Sequence, residues 1–202
     1  MTAKSNTIRQ NAKTTTRLAL VEAALQEFMK KGFDAPSLDA ICARAGYTRG
    51  AFYVHFKNRD ELVAAAVEHV LERFLDEIIA QDDPGEDIDK TVIRFVDLAL
   101  LQPAGGGSGV GMRFHQTLEA CARSENVRKA FVQNLAEAIR RVSAAARTGQ
   151  GAGRIRNDID PDEIARILVA LAIGALVATE VQLPLDVEVT SNAALRLLLA
   201  DR

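Results

Sequence analysis

The sequence predicts an all-α protein of about nine helices, opening with a three-helix head that contains a helix-turn-helix. Three observations carry this expectation. Nearly every readable segment sets its apolar residues at helical spacing. Capping residues and glycines stand where helices would begin and end. No stretch alternates apolar and polar residues as a half-buried strand does.

Each element follows in order. The first helix puts Leu18, Val21, Leu25 and Phe28 on one face and stops at Gly32. Ser37 caps a short second helix carrying Leu38, Ile41 and Ala45, and Gly46 closes it with the positive φ that a tight turn requires. Thr48 caps a third short helix through about Val54. Asn58, with Glu61 three positions on, has the form of a capping box opening a long fourth helix to about Gln81. Val63, Val67, Val70, Phe74 and Ile78 stripe it. After "DDPGED" a fifth helix is expected to reach Gln102, and "PAGGGSGVG" reads as a flexible loop. Further helices are expected over residues 112–123, 126–147, 162–182 and 187–199, parted by "TGQGAGRIRNDIDP" and "LPLD".

Composition narrows the class. The 202 residues are 48% apolar and 26% charged, as in a soluble globular chain. Two cysteines without paired spacing exclude a disulfide framework and point to a reducing compartment. The polar start, "MTAKSNTIRQNAKTTTR", lacks the apolar centre of a signal peptide, so a cytoplasmic protein is expected. The longest apolar run, residues 167–178, falls short of the roughly 20 residues that span a bilayer, so no membrane is expected. Charge is divided along the chain. Residues 1–59 hold ten Lys/Arg against four Asp/Glu, the remainder fifteen against twenty-three. A basic end that meets a polyanion would account for this, as would chance unevenness.

The head has the chemistry for such a meeting. Two short helices joined at "RAGYT" after a longer one have helix-turn-helix form. On the second, Arg49, Gly50 and Tyr53 share one face, while Phe52, continued by Phe56, takes the other. The apolar side is expected to dock on Val21, Leu25 and Ile41, leaving the polar side free for a major groove. The Ser37 and Thr48 hydroxyls suit phosphate oxygens, and Gly50 permits close backbone approach. Arg49 alone on that face can make a bidentate contact with guanine. Tyr53, His55, Lys57 and Arg59 can hold the sugar-phosphate backbone on either flank.

The stretch "SLDAICARAGYTRGAFYVHFKNRDEL" resembles the DNA-binding signature of TetR-family transcriptional regulators, over about residues 14–65. The match lies in the glycine turn, in Phe52, Tyr53, His55 and Phe56, and in the basic residue before an acidic pair and leucine. Two departures stand out: Val54 replaces a second aromatic, and Arg59 stands where lysine is usual, offering a planar fork in place of a point charge. The expected organisation is a flexible basic tail over residues 1–13, a DNA-binding domain over 14–57, and a ligand-binding and dimerisation domain over 58–202. The resemblance implies a homodimeric repressor on palindromic, double-stranded operator DNA, released by a small-molecule effector of largely apolar character.

The residues beyond the head bear on both halves of that implication. Ala170, Gly174 and Ala178 form a smooth ridge at four-residue spacing, which lets two helices approach closely, with Val187, Ala194 and Leu198 as a companion face. The same ridge also fits a helix packed within its own chain. Candidate pocket residues are His69, Phe74, Phe95, Met112, Phe114, His115 and Leu118, with Gln116 and Cys121 beside them. Each also reads as ordinary core aromatic or solvated histidine. His115 and Glu119 could ligate a metal, but no third ligand is spaced to help, and Cys121 as a thiol sensor has only Arg123 near it in sequence. No metal, cofactor or enzymatic activity is expected, since no nucleophile-base set, phosphate loop or carboxylate pair has a motif context. The other classes are a helical carrier or enzyme with an incidental basic head, and an adaptor that binds protein. Salt-sensitive, sequence-preferring DNA binding separates both from a regulator. The long fourth helix, roughly 30 Å at 1.5 Å per residue, is expected to act as a lever between effector and head.

Overall fold

The computed structural model describes residues 2–79, 88–95, 113–184 and 186–198. Nine helices run through the described residues: α1 (Thr2–Lys31), α2 (Leu38–Ala45), α3 (Arg49–His55), α4 (Arg59–Ile78), α5 (Ile88–Phe95), α6 (Phe114–Arg123), α7 (Glu125–Gly151), α8 (Pro161–Glu180) and α9 (Val187–Leu198). The "DDPGED" turn, the glycine-rich loop, Met112, Leu199 and the expected continuation of the fifth helix to Gln102 lie outside the described residues. None of the described helices is long and apolar enough to cross a membrane.

Packing divides the chain into two compact units, residues 1–70 with 116–131, and residues 71–115 with 132–202. The first is larger than the expected head. Residues 116–131 join it because Arg123 pairs with Asp34 at 2.7 Å and the Gln116 side chain lies against Gly32. The unit boundary thus falls after Val70 within α4, not between residues 57 and 58.

Within the first unit, α1 begins at Thr2, so helix occupies the stretch expected as a flexible tail. No glycine or proline interrupts it, and the Thr15 and Thr16 hydroxyls donate to the Asn11 and Ala12 carbonyls at 2.9 and 3.0 Å. Those bonds absorb hydroxyls that otherwise compete with helix. Leu20, Val21, Ala24, Leu25 and Phe28 form the buried stripe, while Leu18, expected on it, is 42% exposed. Gly32 ends the helix at φ 77°, its N–H donating to Phe28 O at 2.7 Å. The core then closes around Ile41, Phe52 and Leu62, none with any exposed surface.

In the second unit the core gathers Phe74, Leu75, Ile78, Ile88, Ala138, Val142, Ala146, Ile155, Ile164 and Leu198. Helix α7 runs four residues past its expected end at 147. Ile155 explains this: a Cβ on Gly149 would sit 2.6 Å from its Cδ1, so glycine inside the helix lets the following loop fold back on it. Gln150 fastens that loop by donating to Arg156 O at 2.9 Å and Ile159 O at 2.8 Å. Asp160 caps α8, accepting from Asp162 N, and Pro161 opens its first turn.

Candidate nucleic-acid interface

The turn between α2 and α3 is built by three local devices. Ser37 accepts from Ala40 N at 3.1 Å and Thr48 from Ala51 N at 3.2 Å, so each hydroxyl satisfies an orphan amide of its own helix. Gly46 takes φ 76°, and Tyr47 N donates to Cys42 O at 2.9 Å. Glu27, buried on α1, ties α1 to α2 through Arg44 at 2.6 Å and also pairs with Lys31 at 2.8 Å. Hydrogen bonds from Lys31 and then Arg44 hold its carboxyl below the ordinary range.

On this frame α3 is anchored by one side only. Phe52 and Phe56 are 0% and 2% exposed, their rings stacked 5.5 Å apart. The opposite face is open: Arg49, Gly50 and Tyr53 are all exposed, Tyr53 by 55%. The Tyr53 ring rests edge-on to Phe52 at 5.1 Å, and its hydroxyl is a hydrogen-bond partner of Arg49. Nothing in the chain requires Gly50 to be glycine, since a Cβ there would meet only Thr48 Oγ1 at 3.6 Å. Ser37, Thr48 and Lys57 are likewise exposed, so six of the eight expected DNA-contact residues are open to solvent.

The other two are placed differently. Arg59 turns inward, donating to Pro36 O at 2.6 Å and to Phe33 O, with its guanidinium 5.6 Å from the Phe28 ring. Its planar fork thereby fastens the start of α4 to the loop after α1, with Nη1 and Nη2 each serving one carbonyl. Nothing in the motif signalled that role. His55 is half-buried, and its Nδ1 has no hydrogen-bond partner among the described residues. Burial first, then Lys13 and Arg17, push its pKa below the ordinary value. Lys13 and Arg17 on α1 are both exposed, with Arg17 lying 5.1 Å from the Phe56 ring. Sequence reasoning passed over them, though their four-residue spacing puts them on one helix face.

Val54, where the family motif has an aromatic, is 65% exposed and leaves no gap in the core. The Asn58 cap forms, accepting from Glu61 N at 2.9 Å, while Glu61 reaches back to Lys57 N at 2.8 Å. The reciprocal bond thus lands one residue earlier than a capping box predicts.

The described pocket candidates are divided between the two units. In the second unit Phe74 and Phe95 meet edge to face with centroids 6.2 Å apart. Phe114 is half-buried; His115 is exposed, its Nδ1 3.1 Å from Glu180, while its backbone N–H donates to the same carboxylate. His69, half-buried, and Leu118, 44% exposed, belong to the first unit. Glu119 pairs with Arg123 at 3.1 Å, so His115 and Glu119 each have another partner. Burial raises the pKa of the Cys121 thiol, and Cys42 is raised for the same reason.

The expected dimer ridge is half corrected. Ala170 and Gly174 are exposed, and a Cβ on Gly174 would meet nothing. Ala178 and Leu198, however, are buried within their own chain, and Ala194 is half-buried. Leu198 packs in the second core with Ile155 and Ile164 nearby, and its carbonyl accepts from Arg156 N at 3.0 Å. The apolar face left open on α8 also holds Ile167, Leu171, Val177 and, just past its end, Val181, between 41% and 67% exposed, and on α9 Val189 and Leu197 are 64% and 71% exposed.

Comparison with known proteins agrees with this geometry. Residues 20–66 match the family model described as bacterial regulatory proteins, tetR family, and residues 113–186 match one described as tetracyclin repressor-like, C-terminal domain. The chain is 41% identical over 63 residues to the Transposon Tn10 TetC protein of Escherichia coli, a match spanning 31% of this chain and about a third (32%) of that relative. It is 26% identical over 186 residues to the HTH-type transcriptional repressor DhaR of Mycobacterium sp. (strain GP1), over 85% of each. The solved structure of SmeT, the repressor of the Stenotrophomonas maltophilia multidrug efflux pump SmeDEF, superposes with a TM-score of 0.64 at 28% identity, covering 92% of this chain and 91% of that one. A second SmeT structure, a complex with triclosan, gives 0.67 at 27%, covering 92% of each chain.

Proposed function

Since the chain belongs to the TetR family of bacterial regulatory proteins, we propose that it is a transcriptional repressor, holding a palindromic double-stranded operator as a homodimer. A small, largely apolar effector releases it. The carrying observation is the single-sided anchoring of α3: two phenylalanines hold it from behind while Arg49, Gly50 and Tyr53 stand open in front. Arg49 is the base-reading side chain, and Lys57 with Lys13 and Arg17 neutralise phosphates. Helices α1, α2 and α3 form the DNA-binding head, and the second unit senses the effector and dimerises.

The open apolar face of α8 and α9 supports the homodimer. Two copies joined there would carry two α3 helices, which successive major grooves accept about 34–36 Å apart. The Phe74–Phe95 pair supports effector contact in the second unit, and SmeT, a repressor solved with triclosan, is a relative with such a ligand. The role is regulatory, not catalytic, and the working compartment is the cytoplasm, where the DNA lies.

Selection from a pool of random-sequence duplexes tests the reading. The chain is expected to enrich a palindromic site, with affinity falling steeply as salt rises. Arg49→Ala is expected to cost about 1–3 kcal/mol on that site and to relax one base pair per half-site. Recovery of a random pool with no enriched site would reject it.

A further inference from the structure

The open face of α3 is not purely cationic. Asp39, in the first turn of α2, stands 67% exposed beside it, and its Oδ1 lies 3.4 Å from the Nε of Arg49. An acidic side chain is out of place on a surface meant for a polyanion, where it repels every phosphate nearby. It is not needed to cap α2, which Ser37 already does. The atoms in contact suggest what it does. The guanidinium has five N–H donors, and Asp39 meets it at Nε, the stem end of the planar group. The Tyr53 hydroxyl oxygen, the other partner of Arg49, accepts at most one or two more, and a guanine edge needs two.

We infer that Asp39 is a positioning residue for base reading: it holds Arg49 by Nε with the terminal fork left for a guanine edge, and its charge keeps that fork from phosphates. The inference rests on the proposed reading of α3 as the helix that enters the major groove. Arginine is a flexible chain whose rotamers must be fixed before it can discriminate a base. A free Arg49 would serve equally well as a sequence-blind phosphate contact. Asp39 converts it into a selective one, trading general affinity for discrimination.

The test uses the full chain and the site it enriches from random duplexes. Affinities for that site, for each single-base variant of it, and for a duplex of scrambled sequence are measured for wild type, Asp39→Asn, Asp39→Glu and Arg49→Ala. Asp39→Asn keeps the shape and removes the charge, and its exposure makes misfolding no concern. It is expected to lower discrimination by about two- to fivefold, the range of an exposed ion pair, only at the base pair that Arg49→Ala also relaxes. It is also expected to bind the scrambled duplex more tightly than wild type does. Asp39→Glu is expected to retain most of the discrimination. If Arg49→Ala relaxes a base pair while Asp39→Asn leaves it and the scrambled duplex unchanged, or shifts all positions alike, the positioning role is wrong and the reading of α3 stands. If Arg49→Ala relaxes nothing, the reading of α3 fails and the inference falls with it.

Discussion

Gly50 lies in the first turn of α3 with open space where a Cβ would stand, apart from ordinary contact with Thr48 Oγ1. Glycine in a helix lowers its stability by up to about 1 kcal/mol relative to alanine, so its presence here serves nothing inside the chain. Gly50→Ala is therefore expected to leave thermal stability equal or slightly raised while weakening affinity for the enriched duplex. Melting curves and a binding titration on one preparation check both; unchanged affinity would mean that the backbone does not approach DNA at this point. Arg59 and His55 teach the converse lesson. Both carry hydrogen-bonding capacity that a motif assigns to DNA, yet one fastens a loop and the other is half-buried. The difference lies in which neighbour reaches the side chain first, and no single stretch of sequence contains that.

Among the helices, α8 and α9 show two kinds of apolar residue with opposite consequences. Leu171 is 49% exposed, whereas Leu198, the α9 residue expected beside this ridge, is 7% exposed within its own core. Leu171→Glu is expected to leave helicity and melting close to wild type yet give monomer in sedimentation, with DNA affinity falling because two half-sites are no longer linked. Leu198→Ala is expected to cost about 2–5 kcal/mol of stability. A Leu171→Glu protein that sediments as a dimer would move the interface elsewhere. Helix α7 carries a second element-level device, in which Arg141 joins Asp76 of α4 at 2.6 Å and Glu137 at 2.7 Å. Hydrogen bonds from Arg140, then Arg141, hold the Glu137 carboxyl down at about 2, against an ordinary 4.5. A carboxylate with a depressed folded-state pKa stabilises fully above the unfolded value and loses that contribution as pH falls through the folded one. The stability gap between wild type and Glu137→Gln is thus expected to be flat above about pH 5 and to shrink between 4.5 and about 2. Denaturant melts across that range measure it; a gap independent of pH would show that Glu137 is not ion-paired in solution.

At the scale of the whole molecule, the proposed effector and operator would compete for states of one chain. An effector can release DNA only by its differential affinity for two arrangements, with coupling typically about 1–3 kcal/mol. Reciprocity then requires that DNA weaken effector binding by the same factor, about 5- to 150-fold. Titrating a small molecule that copurifies with the protein, with and without the enriched duplex, reads this directly. Equal affinities in the two titrations would remove it as the inducer.

The sequence by itself determined the all-α class, the three-helix head, its caps and the face of α3, because these depend on contacts within a few residues. Ser37, Gly46, Thr48 and Asn58 act on amides or dihedrals beside them, and Phe52 and Phe56 follow helical periodicity. Tertiary structure alone decided what depends on residues far apart in the chain. It turned Arg59 to the carbonyls of residues 33 and 36 and set Asp39 against Arg49. It also buried Ala178 and Leu198 while leaving Leu171 and Leu197 open. An apolar helix states how much surface must be covered; which side its own chain covers, and which is left for a partner, follows only from the packing.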